Sequence, residues 1–293
     1  MSYILPKPLK VGDTIGVIAP SGPICEQDAI YRAKSFFETM GYQVVFSKHL
    51  FEQDRYLSAP DKARIEDIHW AFSNDEIDTI ICARGGYGAL RLINDIDYNL
   101  IKSNPKNFCG YSDITVLSAM FLKRANLITY SAPMMKGDFG AEKKDKFTMD
   151  SFFKAIINQT QTLVGERIHK EGKAEGVLWG GNLASIVSLA GIDFIPNEDI
   201  IFFAEDLNEP VYKIDKMLTQ LMNIEQFRTN VKGIVFGEFL DTGYPEQLMT
   251  LFDNIAKELD IPVTSGFKIS HNKTKATIPY GATCVLENDK VVL

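Results

Sequence analysis

Apolar residues in the first half of the chain fall into short continuous runs separated by stretches of helical spacing. Residues 14–19 (Thr-Ile-Gly-Val-Ile-Ala) form one run, closed by Pro20-Ser21-Gly22-Pro23. A run this short, apolar at successive positions and stopped by turn residues, predicts a strand buried on both faces. Residues 28–40 place Ala29, Ala33, Phe36, Phe37 and Met40 on one helical face, with Gly41 as the stop. The alternation continues with a strand at 43–46 and a helix at 61–72 (Ile65, Ile68 and Phe72 on one face). A strand at 79–83 then runs into Arg84-Gly85-Gly86-Tyr87-Gly88, followed by a strand at 107–111, a helix at 113–124 and a strand at 127–130. Continuous apolar strands alternating with amphipathic helices predict an α/β domain built on a parallel sheet with helices on both faces.

Residues 137–173 are polar, lysine-rich and weakly patterned, apart from a candidate helix at 148–157. They read as a connection between domains. The second half restarts with a helix at 182–190 and a strand at 200–204. A helix at 211–222, a strand at 231–239, a helix at 247–259 and a strand at 261–267 follow. Residues 283–293 read as a hairpin turning at Asn288-Asp289. The expected organisation is a domain over 1–138, a linker over 139–173 and a second domain over 174–293.

The length of 293 residues fits two domains of about 150 residues each. Apolar residues at 45% and charged residues at 24% exclude a disordered, collagen-like or coiled-coil chain. The net charge is −7, and the densest cationic cluster, Lys143, Lys144 and Lys146, is diluted by Glu142 and Asp145. It reads as a solvated loop, and no basic face offers nucleic acid a footprint. Cys25, Cys82, Cys109 and Cys284 form no C-x-x-C pair, which argues against structural zinc or a disulfide framework. Residues 1–10 lack the apolar stretch of a signal peptide, and no uncharged apolar run reaches the ~18 residues of a membrane span. A cytoplasmic protein without a membrane partner is the expectation.

In a parallel α/β sheet, chemistry gathers beyond the carboxyl ends of the strands. At Gly110-Tyr111-Ser112-Asp113 an apolar strand enters a turn and a helix leaves it. That is the shape of a nucleophile elbow, with Ile114 where the second glycine would stand. Ser112 or Asp113 could equally be a helix N-cap. Gly85-Gly86 permits close backbone approach to a ligand or a tight turn, and fits neither G-x-G-x-x-G nor a P-loop. Glu205 and Asp206 follow an apolar strand, where a carboxylate could orient a histidine or open the next helix. Of His49, His69, His169 and His271, the last sits in a loop after a strand, the right kind of place for a base. Trp179, before Gly180-Gly181, could line a pocket, whereas Trp70 and the phenylalanines read as core. No cluster has metal-ligand spacing.

Taken together, these segments resemble the LD-carboxypeptidase family of serine peptidases. The resemblance is carried in order along the chain by residues 12–22, Ala83-Arg84-Gly85-Gly86-Tyr87-Gly88 and Gly110-Tyr111-Ser112-Asp113-Ile114-Thr115. It continues through Gly180-Gly181-Asn182-Leu183, Phe203-Ala204-Glu205-Asp206, Tyr212-Lys213-Ile214-Asp215 and Gly266-Phe267 with His271. It implies Ser112 as nucleophile, Glu205 as triad acid and His271 as base, with the amides of Gly86 and Asp113 as oxyanion hole. It also implies a Rossmann-like N-terminal domain carrying the serine and a β-rich, swivelling C-terminal domain carrying Glu and His. The site would lie between them, in a homodimer that needs no cofactor. Family activities are removal of D-alanine from cytoplasmic muropeptide tetrapeptides in wall recycling, and cleavage of an aminoacyl or peptidyl nucleotide in microcin-C immunity. Arg84, beside the glycine loop, is a candidate for the end of the pocket that meets the substrate carboxylate, and Gly85 and Trp179 are further substrate-binding candidates. Ile192-Asp193-Phe194 and Ala204 depart from the family pattern and are expected to border the pocket. A non-catalytic ligand-binding module is the reading of another class.

Overall fold

The computed structural model describes residues 3–158 and 160–293. Met1 and Ser2, at the head of the expected first domain, and Gln159, in the expected linker, lie outside the described residues. Strands in chain order are β1 (Thr14–Ile18), β2 (Gln43–Phe46), β3 (Thr79–Cys82), β4 (Asn107–Cys109), β5 (Thr129–Ser131), β6 (Thr162–Val164), β7 (Arg167–Lys170), β8 (Lys173–Asn182), β9 (Ile200–Leu207), β10 (Val231–Leu240), β11 (Val263–Ser265), β12 (Ile278–Tyr280), β13 (Thr283–Glu287) and β14 (Lys290–Val292). Helices are α1 (Gln27–Thr39), α2 (Asp61–Ser73), α3 (Tyr98–Ser103), α4 (Thr115–Ala125), α5 (Lys146–Phe153), α6 (Leu183–Val187), α7 (Val211–Met222), α8 (Glu225–Asn230) and α9 (Pro245–Leu259).

The protein is a two-domain α/β molecule. The first sheet has six strands in the order β12-β5-β4-β3-β1-β2, parallel except for β12, which pairs antiparallel to β5. β1 and β3 are buried along their whole length, as their unbroken apolar runs require. Strand order reverses direction between β1 and β3, so the loops after these two strands diverge to opposite sides and leave a crevice. The second sheet is mixed, with eight strands in the order β6-β14-β13-β8-β9-β10-β11-β7 and a parallel centre of β8, β9, β10 and β11. The hairpin of β13 and β14 turns at Asn288, whose φ of 54° lies in the left-handed region that asparagine tolerates.

Residues 139–173 are more than a connection. Phe139, Phe152, Ala155 and Ile156 are buried with Phe37 and Ile15 under the first sheet. β6 and β7 then form edges of the second sheet, paired to β14 and β11. The candidate helix at 148–157 overlaps α5, but nothing local to the segment marks its packing under the first sheet or the pairing of β6 and β7. The chain also returns: β12, late in the sequence, completes the first sheet. Residues 173–182, where the sequence assigned no strand and Gly180-Gly181-Asn182 read as a loop before a helix, form the long central strand β8. Here the glycines serve close packing. A Cβ on Gly181 would lie 2.6 Å from the Thr115 side chain at the start of α4. One continuous apolar cluster therefore joins Met120 and Phe121 of α4 to Trp179, Leu183 and Ile186 of the second domain.

Candidate active site

β4 ends at Cys109, and the chain turns sharply through Gly110, Tyr111 and Ser112 before α4 begins. Tyr111 is extended (φ −138°), whereas Ser112 has φ of 65°. A non-glycine residue held there costs about 1–3 kcal/mol, a strain that clusters at functional positions. Gly110 permits the turn, because a Cβ on it would meet Ile114 at 2.8 Å. Ile114, which departs from the elbow motif, is a wholly buried core residue.

The loop after β3 packs directly on this serine. A Cβ on Gly85 would lie 2.9 Å from Ser112 Cβ and 3.1 Å from its Oγ. Gly86 has φ of 122° and approaches the Cα of Gly22 in the loop after β1. Gly22 N donates to Gly85 O at 3.2 Å, which ties the two loops across the crevice. Arg84 serves the same scaffold. Its Nε donates to Gly85 O and its Nη1 to Pro23 O, each at 3.1 Å. Asp113 is buried, and one of its oxygens accepts from Ser21 Oγ at 2.6 Å and from Ala89 N at 2.9 Å. Its carboxyl pKa is raised, chiefly by burial, against the lowering effect of these donors.

The second domain supplies the other half. Glu205 and Asp206 are adjacent on β9, so their side chains leave opposite faces. Glu205 is 4% exposed, and its Oε2 lies 2.6 Å from His271 Nδ1. Asp206 instead accepts from Asn182 Nδ2, Ala184 N and Leu207 N at 2.8–2.9 Å, fixing the end of β8 and the start of α6. The His271 ring stands edge-on to Tyr111, with centroids 5.1 Å apart, beside the residue that precedes Ser112. No hydrogen bond joins Ser112 Oγ to the imidazole among the described residues. A cavity of about 510 Å³ opens next to His271, lined among others by Tyr111, Asp138, Lys143, Lys273 and Lys275.

Several expectations are corrected. Trp179 lines no pocket: it is 0% exposed and packs against Phe194, Phe202 and Phe227. Ala204 is equally buried, and Phe194 lies in that same core. Ile192 is exposed, and Asp193 pairs with Lys123 at 2.8 Å. None of these residues borders the cavity. Lys143, exposed as a solvated-loop residue should be, stands at the rim of that cavity. His49 is buried between Glu52 and Glu66. His169 lies in a carboxylate–imidazole–hydroxyl chain of its own, with Asp253 at 2.5 Å and Ser265 Oγ at 2.8 Å, but its side chain is wholly inaccessible. Lys275 and Asp138 carried no sequence signal, since their contact spans 137 residues. Among the described residues no group of three His, Cys, Asp or Glu could hold a metal, and no helix is long and apolar enough to cross a membrane.

Comparison with known proteins follows the same two-part division. A family model described as the LD-carboxypeptidase N-terminal domain matches residues 15–132, and one described as the LD-carboxypeptidase C-terminal domain matches residues 175–286. A probable murein peptide carboxypeptidase of Bacillus subtilis is 35% identical, over 96% of this chain and 91% of that protein. The crystal structure of an MccF-like protein from Bacillus anthracis superimposes with a TM-score of 0.91 at 28% identity, covering 99% of both chains. That of a muramoyltetrapeptide carboxypeptidase from Oxalobacter formigenes gives 0.86 at 29% identity, covering 95% of this chain and 97% of that one.

Proposed function

The chain belongs to the LD-carboxypeptidase family of serine hydrolases, and from that premise we propose that it releases the terminal D-alanine of murein-derived tetrapeptides by hydrolysing an L,D amide bond. One observation carries the reading: a buried Glu205 holds His271 at 2.6 Å, and the imidazole stands beside the strained turn that presents Ser112. The carboxylate accepts the Nδ1 proton, which leaves the Nε2 lone pair free to act as base.

In the proposed reaction Ser112 Oγ attacks the amide carbonyl while His271 takes its proton and passes it to the leaving amine. Glu205 fixes the imidazole tautomer and stabilises the imidazolium. The amides of Gly86 and Asp113 receive the oxyanion, a contribution worth about 10²–10³ in rate per donor in comparable sites. Water then cleaves the ester by the reverse proton path. Such hydrogen bonds commonly tighten only when substrate is bound, which suits a serine and histidine carried by different domains. Arg84 supports the glycine loop through the backbone carbonyls of Gly85 and Pro23.

The test is release of D-alanine from a tetrapeptide ending in that residue, by the wild type and by Ser112→Ala. The substitution is expected to lower kcat by about 10⁴-fold or more. Unchanged hydrolysis would sink the assignment. A second reading, cleavage of an aminoacyl-sulfamoyl nucleotide, is favoured by the likeness to the MccF-like protein. Aspartyl sulfamoyl adenosine offered in the same assay separates the two, because only the second reading expects its breakdown.

A further inference from the structure

The cavity beside His271 has a wall that the proposed triad does not use. Lys275 is 4% exposed, and its ammonium donates to Asp138 Oδ1 at 2.6 Å and to Tyr111 Oη at 3.0 Å. It also sits 4.4 Å from the centroid of the Tyr111 ring, the ring that stands edge-on to His271. The other Asp138 oxygen accepts from Met134 N at 2.9 Å. One ammonium thus joins three things: the residue before Ser112, the segment after β5, and the loop that carries His271. Around it the backbone of that loop is pinned to the first domain. Lys275 N donates to Thr148 Oγ1 at 2.9 Å, Thr274 Oγ1 to Asp145 Oδ2 at 3.0 Å, and Thr277 N to Ser151 Oγ at 3.0 Å.

Cohesion does not require a charge here. A buried ion pair stabilises weakly, and well-packed apolar residues of the same volume do as well or better. What the ammonium adds is a tether, because a buried cation must keep its acceptors within hydrogen-bonding reach to offset its desolvation. We propose that Lys275 is a positioning residue: clamped by Asp138 and Tyr111, it sets the His271 imidazole relative to Ser112 across the domain boundary. Lys275 need not touch substrate. The proposal deepens the serine-hydrolase reading and rests on it.

The experiment compares the wild type with Lys275→Met, Lys275→Arg and Asp138→Asn in the full chain. Three experiments are made: the rate at which a fluorophosphonate probe labels Ser112, the steady-state kinetics of D-alanine release (kcat and KM), and the NMR resonance of the His271 Nδ1 proton, assigned by its loss in His271→Gln. Lys275→Met is expected to slow labelling and kcat by about 10²-fold, with KM near the wild-type value, since misplacement of about 1 Å costs that much. The Nδ1 resonance should move or broaden, and Lys275→Arg should recover most of both. A folded Lys275→Met with wild-type labelling and an unmoved resonance overturns the proposal. If that variant does not fold, Asp138→Asn decides in the same way. A wild type that neither labels nor hydrolyses refutes the serine-hydrolase reading instead, while the His271 resonance still shows whether Lys275 places the ring.

Discussion

At Ser112 a strained backbone and a glycine neighbour act together. The serine can stand at φ of 65° above the sheet only because residue 85 presents no side chain to it. A methyl group 2.9 Å from Ser112 Cβ cannot be accommodated without moving the nucleophile. Gly85→Ala is therefore expected to lower kcat by about 10²-fold and to cost about 1–3 kcal/mol of stability, and steady-state kinetics beside a melting curve would check both. A second residue-scale prediction concerns His169. Burial lowers its pKa, against the raising effect of Asp253, so the folded protein favours the neutral ring. The unfolded chain binds its proton near pH ~6.5, and stability from this group is present above that value and lost as pH falls below it. His169→Asn should thus lose less thermal stability than the wild type on acidification from about pH 7.5 to about pH 5.5. Equal losses in the two proteins would refute the sign. Ser112 and His271 were legible only as candidates, since each lies in a loop that follows a strand, and the roles proposed for them came from the family resemblance. Lys275 was not legible, since its partners Asp138 and Tyr111 are distant in sequence and a lone lysine four residues after His271 carries no pattern.

Among the elements, legibility followed periodicity. β1, β3 and the first five residues of β9 are unbroken apolar runs, and α1, α7 and α9 each carry one apolar face, so all were readable; that β9 continues through Glu205 and Asp206 was not. β8 was not, because its glycines look like loop punctuation until the approach of Thr115 is known. β7 was missed because Arg167-Ile168-His169-Lys170 reads as exposed, polar chain, although His169 turns inward. α5 shows how a small element fixes the site. Asp145 caps it by accepting from Thr148 N at 2.9 Å, and its second oxygen holds Thr274 in the loop of His271. Asp145→Ala removes both contacts. The cap alone is worth about 1 kcal/mol in urea unfolding. Activity should fall as well, and a loss of stability without loss of activity would show that this cap and the placement of His271 are independent.

At the scale of the whole molecule, the two-domain division was legible but its seam was not. Apolar runs restart after residue 173, yet the chain crosses between sheets more than once: β6 and β7 belong to the second sheet, and β12 returns to the first. Pairing partners that far apart are invisible to any local pattern. A single apolar cluster that runs from Phe108 and Met120 to Trp179 and Phe202 binds the halves. The full chain is therefore expected to unfold in one calorimetric transition, and a fragment of residues 1–158, which lacks β12 and Lys275, should show no cooperative melt. Two resolved transitions would contradict this. The loop of His271 is strung between β11 of one sheet and β12 of the other, a thread sewn into both sides of the seam. Recombination between two relatives at one crossover near the middle of the gene would consequently deliver an edge strand to a sheet from a different parent. Exchange of an intact lobe needs three junctions, because β13 and β14 follow β12 and belong to the second sheet again, and drift on either side of the seam has to be matched by drift on the other.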